Sequence, residues 1–202
     1  MSLRRYRVPM TTGATRDVSI RRANPEELSA LGQLVADAYA ALPGMPGPAE
    51  QPGYYAMVRD APARARNPAI HVLAAVGGSG ELLGSADFIS DMAHYGSGGT
   101  AGTRRNASGI RLLAVAPGAR GQGIGRALTL DCVERARALG RAVVVLHTTR
   151  AMQTAWHMYE QLGFRRTPDL DFRQGELEVF GFELDLRPER RPLSGSRGGA
   201  PG

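Results

Sequence analysis

The stretch from Ile110 to Leu128, IRLLAVAPGARGQGIGRAL, constrains the fold of this chain more than any other. It reads as a strand, a sharp turn and the start of a helix. Pro117 cannot continue a sheet ladder, so the strand ends near Ala116. Gly121, Gly123 and Gly125 lack a Cβ, which lets the backbone turn tightly and lets a ligand approach its amides. From Ile124 onward, Ile124, Leu128, Cys132, Ala136 and Leu139 recur at helical spacing and form one apolar stripe. The first amides of such a helix have no intrahelical acceptor. With the helix dipole they form an anion site, most naturally for phosphate. Arg120 and Arg126 flank the turn and add charged donors.

Two familiar phosphate-binding turns do not fit. A dinucleotide fold places its glycine turn after the first strand and an acidic residue after the next one. Here the turn lies past mid-chain, and the next strand, Val143–Leu146, runs into His147-Thr148-Thr149-Arg150. A P-loop needs a lysine, and every basic residue of this chain is arginine. The missing lysine also rules out Schiff-base chemistry.

The chain has 202 residues, 43% of them hydrophobic, enough for one core of ordinary size. The single cysteine, Cys132, excludes an internal disulfide and a cysteine metal cluster, and no metal site is expected. No apolar run approaches the ~20 residues that span a membrane, and no apolar segment follows the N-terminal arginines. The expectation is a cytoplasmic protein with no membrane partner. The net charge of +6 raises nucleic acid as a partner. The arginines are scattered, however, with no interleaved aromatics, so basic tails and an anionic ligand account for the excess.

In chain order, residues 1–15 read as a mobile N-terminal tail and 188–202 as a disordered C-terminal tail around a domain at 16–187. Val18–Arg21 alternates as a first strand. Asn24-Pro25-Glu26-Glu27 starts a helix that runs to about Ala41. Pro43–Pro48 is a loop, and a short helix covers Tyr54–Arg59. Ile70–Val76 and Leu82–Ile89 form a hairpin around Gly77-Gly78-Ser79-Gly80. Leu83, Ser85, Asp87, Ile89 and Asp91 share one face. Burial in that strand would raise the pKa of Asp87 toward that of a useful base; a paired or edge-exposed aspartate is the alternative. Met92–Ser108 is a long glycine-rich loop, of the kind that closes over a site or is merely tolerated. Arg165–Phe172 and Glu176–Leu186 read as closing strands.

The segment Arg120-x-x-Gly123-x-Gly125 after an apolar strand resembles the coenzyme A pyrophosphate loop of the GNAT superfamily of N-acetyltransferases. Ala155-Trp156-His157-Met158-Tyr159-Glu160-Gln161-Leu162-Gly163-Phe164 is similar to the A-x-x-x-Y-E-x-L-G-F signature of the same family. The resemblance covers roughly Val18 to Leu186, with specific motifs between Ile110 and Phe164. It implies an α/β (α+β) fold: one GNAT-like domain with a mixed, mostly antiparallel sheet of about six or seven strands. A central parallel pair would splay apart, and about four helices would flank the sheet. It implies acetyl-CoA as cofactor, held by Leu113, Ala114 and Val115 along the strand and by Arg120, Gly121, Gln122, Gly123, Ile124, Gly125, Arg126 and Ala127 at the turn. Met152 stands where many relatives carry an asparagine that touches the cofactor.

The implied reaction is direct transfer of acetyl from acetyl-CoA to a primary amine. Tyr159 would protonate the departing thiolate, and an amide of the bulged strand end, Val115, would polarise the carbonyl. The family often carries a glutamate on the strand that here offers Arg111. Asp87 ranks first as the base in its place, with Asp91 and His147 as further candidates. Met45, Tyr54, Tyr55, Asp91 and His147 are candidates for contact with the acceptor, a small-molecule or peptide amine. A homodimer is possible through the sheet edges. The alternative function is a non-catalytic acyl-CoA sensor on the same scaffold.

Overall fold

The computed structural model describes residues 3–9 and 15–187. Nine strands and five α-helices follow one another as β1 (Arg4–Pro9), β2 (Thr15–Arg22), α1 (Leu28–Ala40), α2 (Pro52–Arg59), α3 (Ala61–Ala65), β3 (Ile70–Gly77) and β4 (Leu82–Ile89), then β5 (Ala107–Val115), α4 (Ile124–Ala138), β6 (Val143–Thr148), α5 (Gln153–Gln161), β7 (Arg165–Arg166), β8 (Phe172–Gln174) and β9 (Leu177–Asp185). The strand order is β1-β2-β3-β4-β5-β6-β9-β7, with β8 paired to β9. Among the described strands only β5 and β6 run parallel; the other pairs are antiparallel.

The sheet exceeds the six or seven strands expected for two reasons. Arg4–Pro9, expected to belong to a mobile tail, pairs along its length with β2. The Arg165–Phe172 segment is not one strand: a 3-10 turn at Pro168–Leu170 divides it into β7 and β8. Proline cannot donate to a ladder, which accounts for the break. The proposed C-terminal tail, 188–202, lies outside the described residues.

Helix α4 packs one face of the sheet through Ile124, Leu128, Cys132 and Ala136, all buried with Leu73, Phe88, Ile110 and Phe182. Leu139 departs from that stripe: it lies beyond the helix end and is 51% exposed. Helices α1 and α2 cover the other face, where Val35, Tyr39, Tyr55 and Val58 surround Leu112 and Ala114. Glu27 reaches back to the Asn24 amide (2.7 Å) and fixes the entry to α1, as the capping pattern requires.

The parallel pair sets up the functional site. β5 and β6 are in register only from Ala107–Val143 to Ile110–Leu146. Beyond that point β5 continues to Val115 without β6 beside it, so the two strands part. β5 is also irregular against β4. Asp87 faces Arg111 and Ser85 faces Ala114, so Leu112 and Leu113 together oppose Ala86. This is a β-bulge, and Leu112 takes the left-handed conformation, φ +51°. For a branched side chain that costs about 1–2 kcal/mol.

Candidate active site

The turn after β5 has the expected shape. Gly121 and Gly123 both take positive φ (+74° and +75°), and α4 begins at Ile124. Among the described residues, the amides of Gly121, Gln122, Gly123, Ile124, Gly125 and Arg126 find no acceptor. They form a concave run of donors at a helix N-terminus. Ala127 is the exception to the expected set, because its amide is already bonded to the Gly123 carbonyl (2.9 Å). The Gln122 side chain braces the turn by donating to the Gly118 carbonyl (3.0 Å). Arg120 and Arg126 are exposed, and neither has an ion-pair partner among the described residues.

From this nest the open side of β5 leads to the sheet's split. The Ala116 amide donates to the Leu83 carbonyl (2.9 Å). Antiparallel alternation then turns the Leu113 and Val115 amides away from β4 and into the gap. The bulge itself lies at Leu112 and Leu113, upstream of the strand end where the family pattern places it. The gap opens into a cleft of about 360 Å³, at the small end of ligand pockets. Tyr39, Met45, Tyr54 and Met57 form one wall. Phe172, Leu177 and Val179 form another, and Arg111, His147 and Tyr95 lie between them. Met152, Thr148 and Thr149 line its side, and the hydroxyls of both threonines are buried without a partner. Such orphaned groups fit a polar, elongated ligand lying in the split.

His147 is the most constrained polar group here. Its Nε2 is 2.9 Å from the Leu170 carbonyl and its Nδ1 is 2.9 Å from the Tyr95 hydroxyl. A carbonyl can only accept, so Nε2 carries the proton, and Nδ1 accepts from Tyr95. Burial pushes the imidazole below its ordinary pKa, which keeps it neutral at pH 7. Asp171 holds this segment in place: it takes two bonds from Arg166 (2.9 and 2.7 Å) and one from the Gly181 amide (2.8 Å). Tyr95 comes from the long loop, which is not open: Met92, Tyr95 and Ala101 are buried in it. A Cβ at Gly109 would lie 2.4 Å from the Tyr95 ring, so glycine at that point of β5 gives the tyrosine its seat.

The other candidates divide. Tyr159 is buried against Phe164 (centroids 5.7 Å apart), and burial pushes its hydroxyl well up, so it stays protonated. It belongs to the core cluster on the α4 side, with Cys132 and Phe164, and is not among the cleft's lining groups. Tyr54 lines the cleft, whereas Tyr55 turns inward and ties its hydroxyl to the Pro46 carbonyl (3.0 Å). Asp91 caps a 3-10 turn through the Ala93 amide (3.0 Å) and does not line the cleft. Asp87 is 3% exposed and gives Oδ2 to Arg64 Nε at 2.7 Å. Burial pushes its carboxyl up against the pull of that guanidinium. The pair lies under α3, and Asp87 is not among the cleft's lining groups. Alternation alone put Asp87 on the right face but could not show that Arg64 takes it. Tyr39 and Tyr95 do not stand out in the sequence: one reads as a core aromatic of α1, the other as a lone aromatic in a glycine-rich loop.

A family model described as the acetyltransferase (GNAT) family matches residues 35–164, and the chain belongs to that family. No curated protein matches the sequence. Several solved structures share the fold. An acetyltransferase of the GNAT family from Staphylococcus aureus Mu50 is 15% identical with a TM-score of 0.63, over 84% of this chain and 99% of that one. PaiA N-acetyltransferase from Thermoplasma acidophilum, in complex with coenzyme A, is 16% identical with a TM-score of 0.62, over 81% and 97%. The yncA protein of Salmonella typhimurium, with its cofactor acetyl-CoA, is 19% identical with a TM-score of 0.57, over 88% and 98%. No described helix is long and apolar enough to cross a membrane.

Proposed function

We propose that this chain is an acetyl-CoA-dependent N-acetyltransferase that acts on a primary amine by direct attack. The observation that carries the reading is the run of six free amides at the start of α4, opening onto the split between β5 and β6. The nest and Arg120 and Arg126 would hold the pyrophosphate. Leu113 and Val115 would pair with the pantetheine arm, with Thr148 and Thr149 as further partners. Acetyl-CoA, bound so, supplies an activated acyl thioester. The Leu113 amide, at the bulge, is aimed to stabilise charge on the thioester oxygen, with Val115 next to it.

Proton traffic follows from the side chains. An amine with an ordinary pKa near ~10 enters as ammonium and must lose a proton before it attacks. Neutral His147 accepts that proton at Nδ1 through the Tyr95 hydroxyl, which is refilled from the ammonium. The C–N bond then forms as the C–S bond breaks, and Tyr159 donates a hydrogen bond and then its proton to sulfur. Of the two protons lost by nitrogen, one passes through Tyr95 and His147 to solvent, and the other, lost as the amide forms, restores Tyr159 in place of the proton given to the thiol. Asp87 is not given the base role, since its charge is already paired. The acceptor is a small-molecule or peptide amine in the cleft.

The test is Tyr159→Phe. Turnover, read as thiol release, should fall about a hundredfold, within the usual range for a lost proton donor, with coenzyme A affinity unchanged. Equal turnover would remove Tyr159 from the chemistry. Tight acetyl-CoA binding with no thiol release across a broad amine panel would favour the sensor reading.

A further inference from the structure

Resting on that reading, we infer that the acceptor is a free α-amino acid with an apolar side chain, and that Arg111 binds its carboxylate. Arg111 comes from β5 at the bulge and lies inside the cleft. Its Nη1 donates to the Tyr95 carbonyl at 2.6 Å, which fixes the side chain. Among the described residues, no carboxylate lies within 4 Å of its guanidinium. The acid directly across the sheet, Asp87, is paired with Arg64 instead. The remaining guanidinium N–H groups therefore present a charge with no direct ion pair to the cleft, in the fork geometry that carboxylates match.

The rest of the cleft agrees. Among the described residues, no aspartate or glutamate lines it. A polyamine or other multiply cationic acceptor would meet Arg111 with no counter-charge, at a cost in a partly desolvated site. The walls, Met45, Tyr54, Met57, Phe172, Leu177 and Val179, are apolar or aromatic and suit an apolar side chain. Placement supplies the last argument. Tyr95 is shared: its carbonyl holds Arg111, and its hydroxyl leads to His147. One residue thus touches both the guanidinium offered to the carboxylate and the histidine offered to the amine, and both groups line the same cleft. The cleft of about 360 Å³ must also admit the thioester end, which leaves room for a small acceptor.

The experiment compares matched ligands on the full chain loaded with coenzyme A. N-acetyl-L-phenylalanine, the product of such a transfer, should bind at least tenfold more tightly by calorimetry than N-acetylphenethylamine, which lacks only the carboxylate. The same ratio should hold for the leucine and isoamylamine pair. In Arg111→Gln the ratio should collapse toward one, and Arg111→Lys should restore part of it; coenzyme A affinity, read on each variant, reports an intact fold. In turnover, L-phenylalanine should exceed phenethylamine, L-phenylalaninamide and spermidine by at least tenfold in kcat/KM. A preference for spermidine, for the amide or for the decarboxylated amine would overturn the inference, as would a ratio untouched by either Arg111 variant. Thiol release without preference for the acid defeats this inference alone. Selective binding of the acid without thiol release defeats the transfer reading alone.

Discussion

Replacing Asp87 separates a structural role from a catalytic one. The Arg64 and Asp87 side chains are only 9% and 3% exposed, and they meet at 2.7 Å. Arg64 also donates to the Met57 and Val58 carbonyls, each at 2.7 Å, so the pair ties the end of α2 to the sheet. Asp87→Asn preserves the shape but leaves Arg64 as a buried cation without its counter-charge. Breaking such a pair from one side costs about 3–5 kcal/mol. With an unfolding entropy of about 2.1 cal/mol/K per residue over roughly 180 folded residues, the melting temperature should fall by about 8–13 °C. Differential scanning calorimetry gives that number, and thiol release well below the transition gives activity per folded molecule, which should stay within about threefold of the parent, far from the 10²–10⁴-fold loss expected of a missing base. The double variant Arg64→Met, Asp87→Leu should recover part of the stability, since removing both charges is far less costly than removing one. The remaining loss belongs to the two carbonyls that Arg64 no longer caps. An Asp87→Asn protein with an unchanged melting temperature and turnover down a hundredfold or more would refute this reasoning and return Asp87 to the base role.

Two further outcomes are expected. Gly121 has φ +74° and open space where a Cβ would stand, so Gly121→Ala should cost about 1–2 kcal/mol of backbone strain and weaken coenzyme A binding about tenfold by calorimetry, the added methyl crowding the nest. His147 is held below its ordinary pKa by burial, so the acid limb of the kcat/KM profile should lie below pH ~6.5, with activity lost as pH falls through it; His147→Gln should lower the plateau and abolish that limb. The same shift makes the unfolded chain bind more protons than the folded one near the limb, so folding stability should also fall as pH drops below ~6.5.

How far the sequence reveals this protein depends on how local the signal is. The β5 turn and the α4 start were legible because proline and glycine dictate backbone geometry residue by residue, and Gly121 and Gly123 adopt the conformations their identity suggests. The helix after Asn24 was legible for the same reason. The hairpin of β3 and β4 follows from period-two alternation around a glycine turn. What failed to show were pairings between distant segments. Arg4–Pro9 reads as a polar tail because its ladder lies with β2, and no local pattern announces it. Asp87 reads as a base because Arg64 lies 23 residues away on a short helix that no local pattern announces. Tyr95 and His147 meet across 52 residues, and neither is unusual where it stands in the chain. Counting along the motif places Ala127 in the nest, whereas the helix closes its first bond there.

The strained residue of β5 explains why these parts meet in one place. With a regular ladder, Arg111 and Leu112 would point to opposite faces. The bulge puts two residues opposite Ala86, so both side chains reach the cleft while Leu113 and Val115 pack toward α4. The same extra residue resets the alternation, so the Leu113 and Val115 amides face the gap where β6 has departed. A left-handed leucine costs about 1–2 kcal/mol, and glycine at that point would remove the cost. Leucine instead anchors the bulge by burying its side chain against Val35, Tyr39 and Tyr55 under α1 and α2. The Tyr39 hydroxyl also donates to the Leu113 carbonyl (3.4 Å), which ties α1 to β5 at the bulge. One irregularity in one strand therefore turns both Arg111 and Leu112 to the cleft and the Leu113 amide to the split, and under the proposed reaction it would couple the acceptor's charge to the transfer geometry.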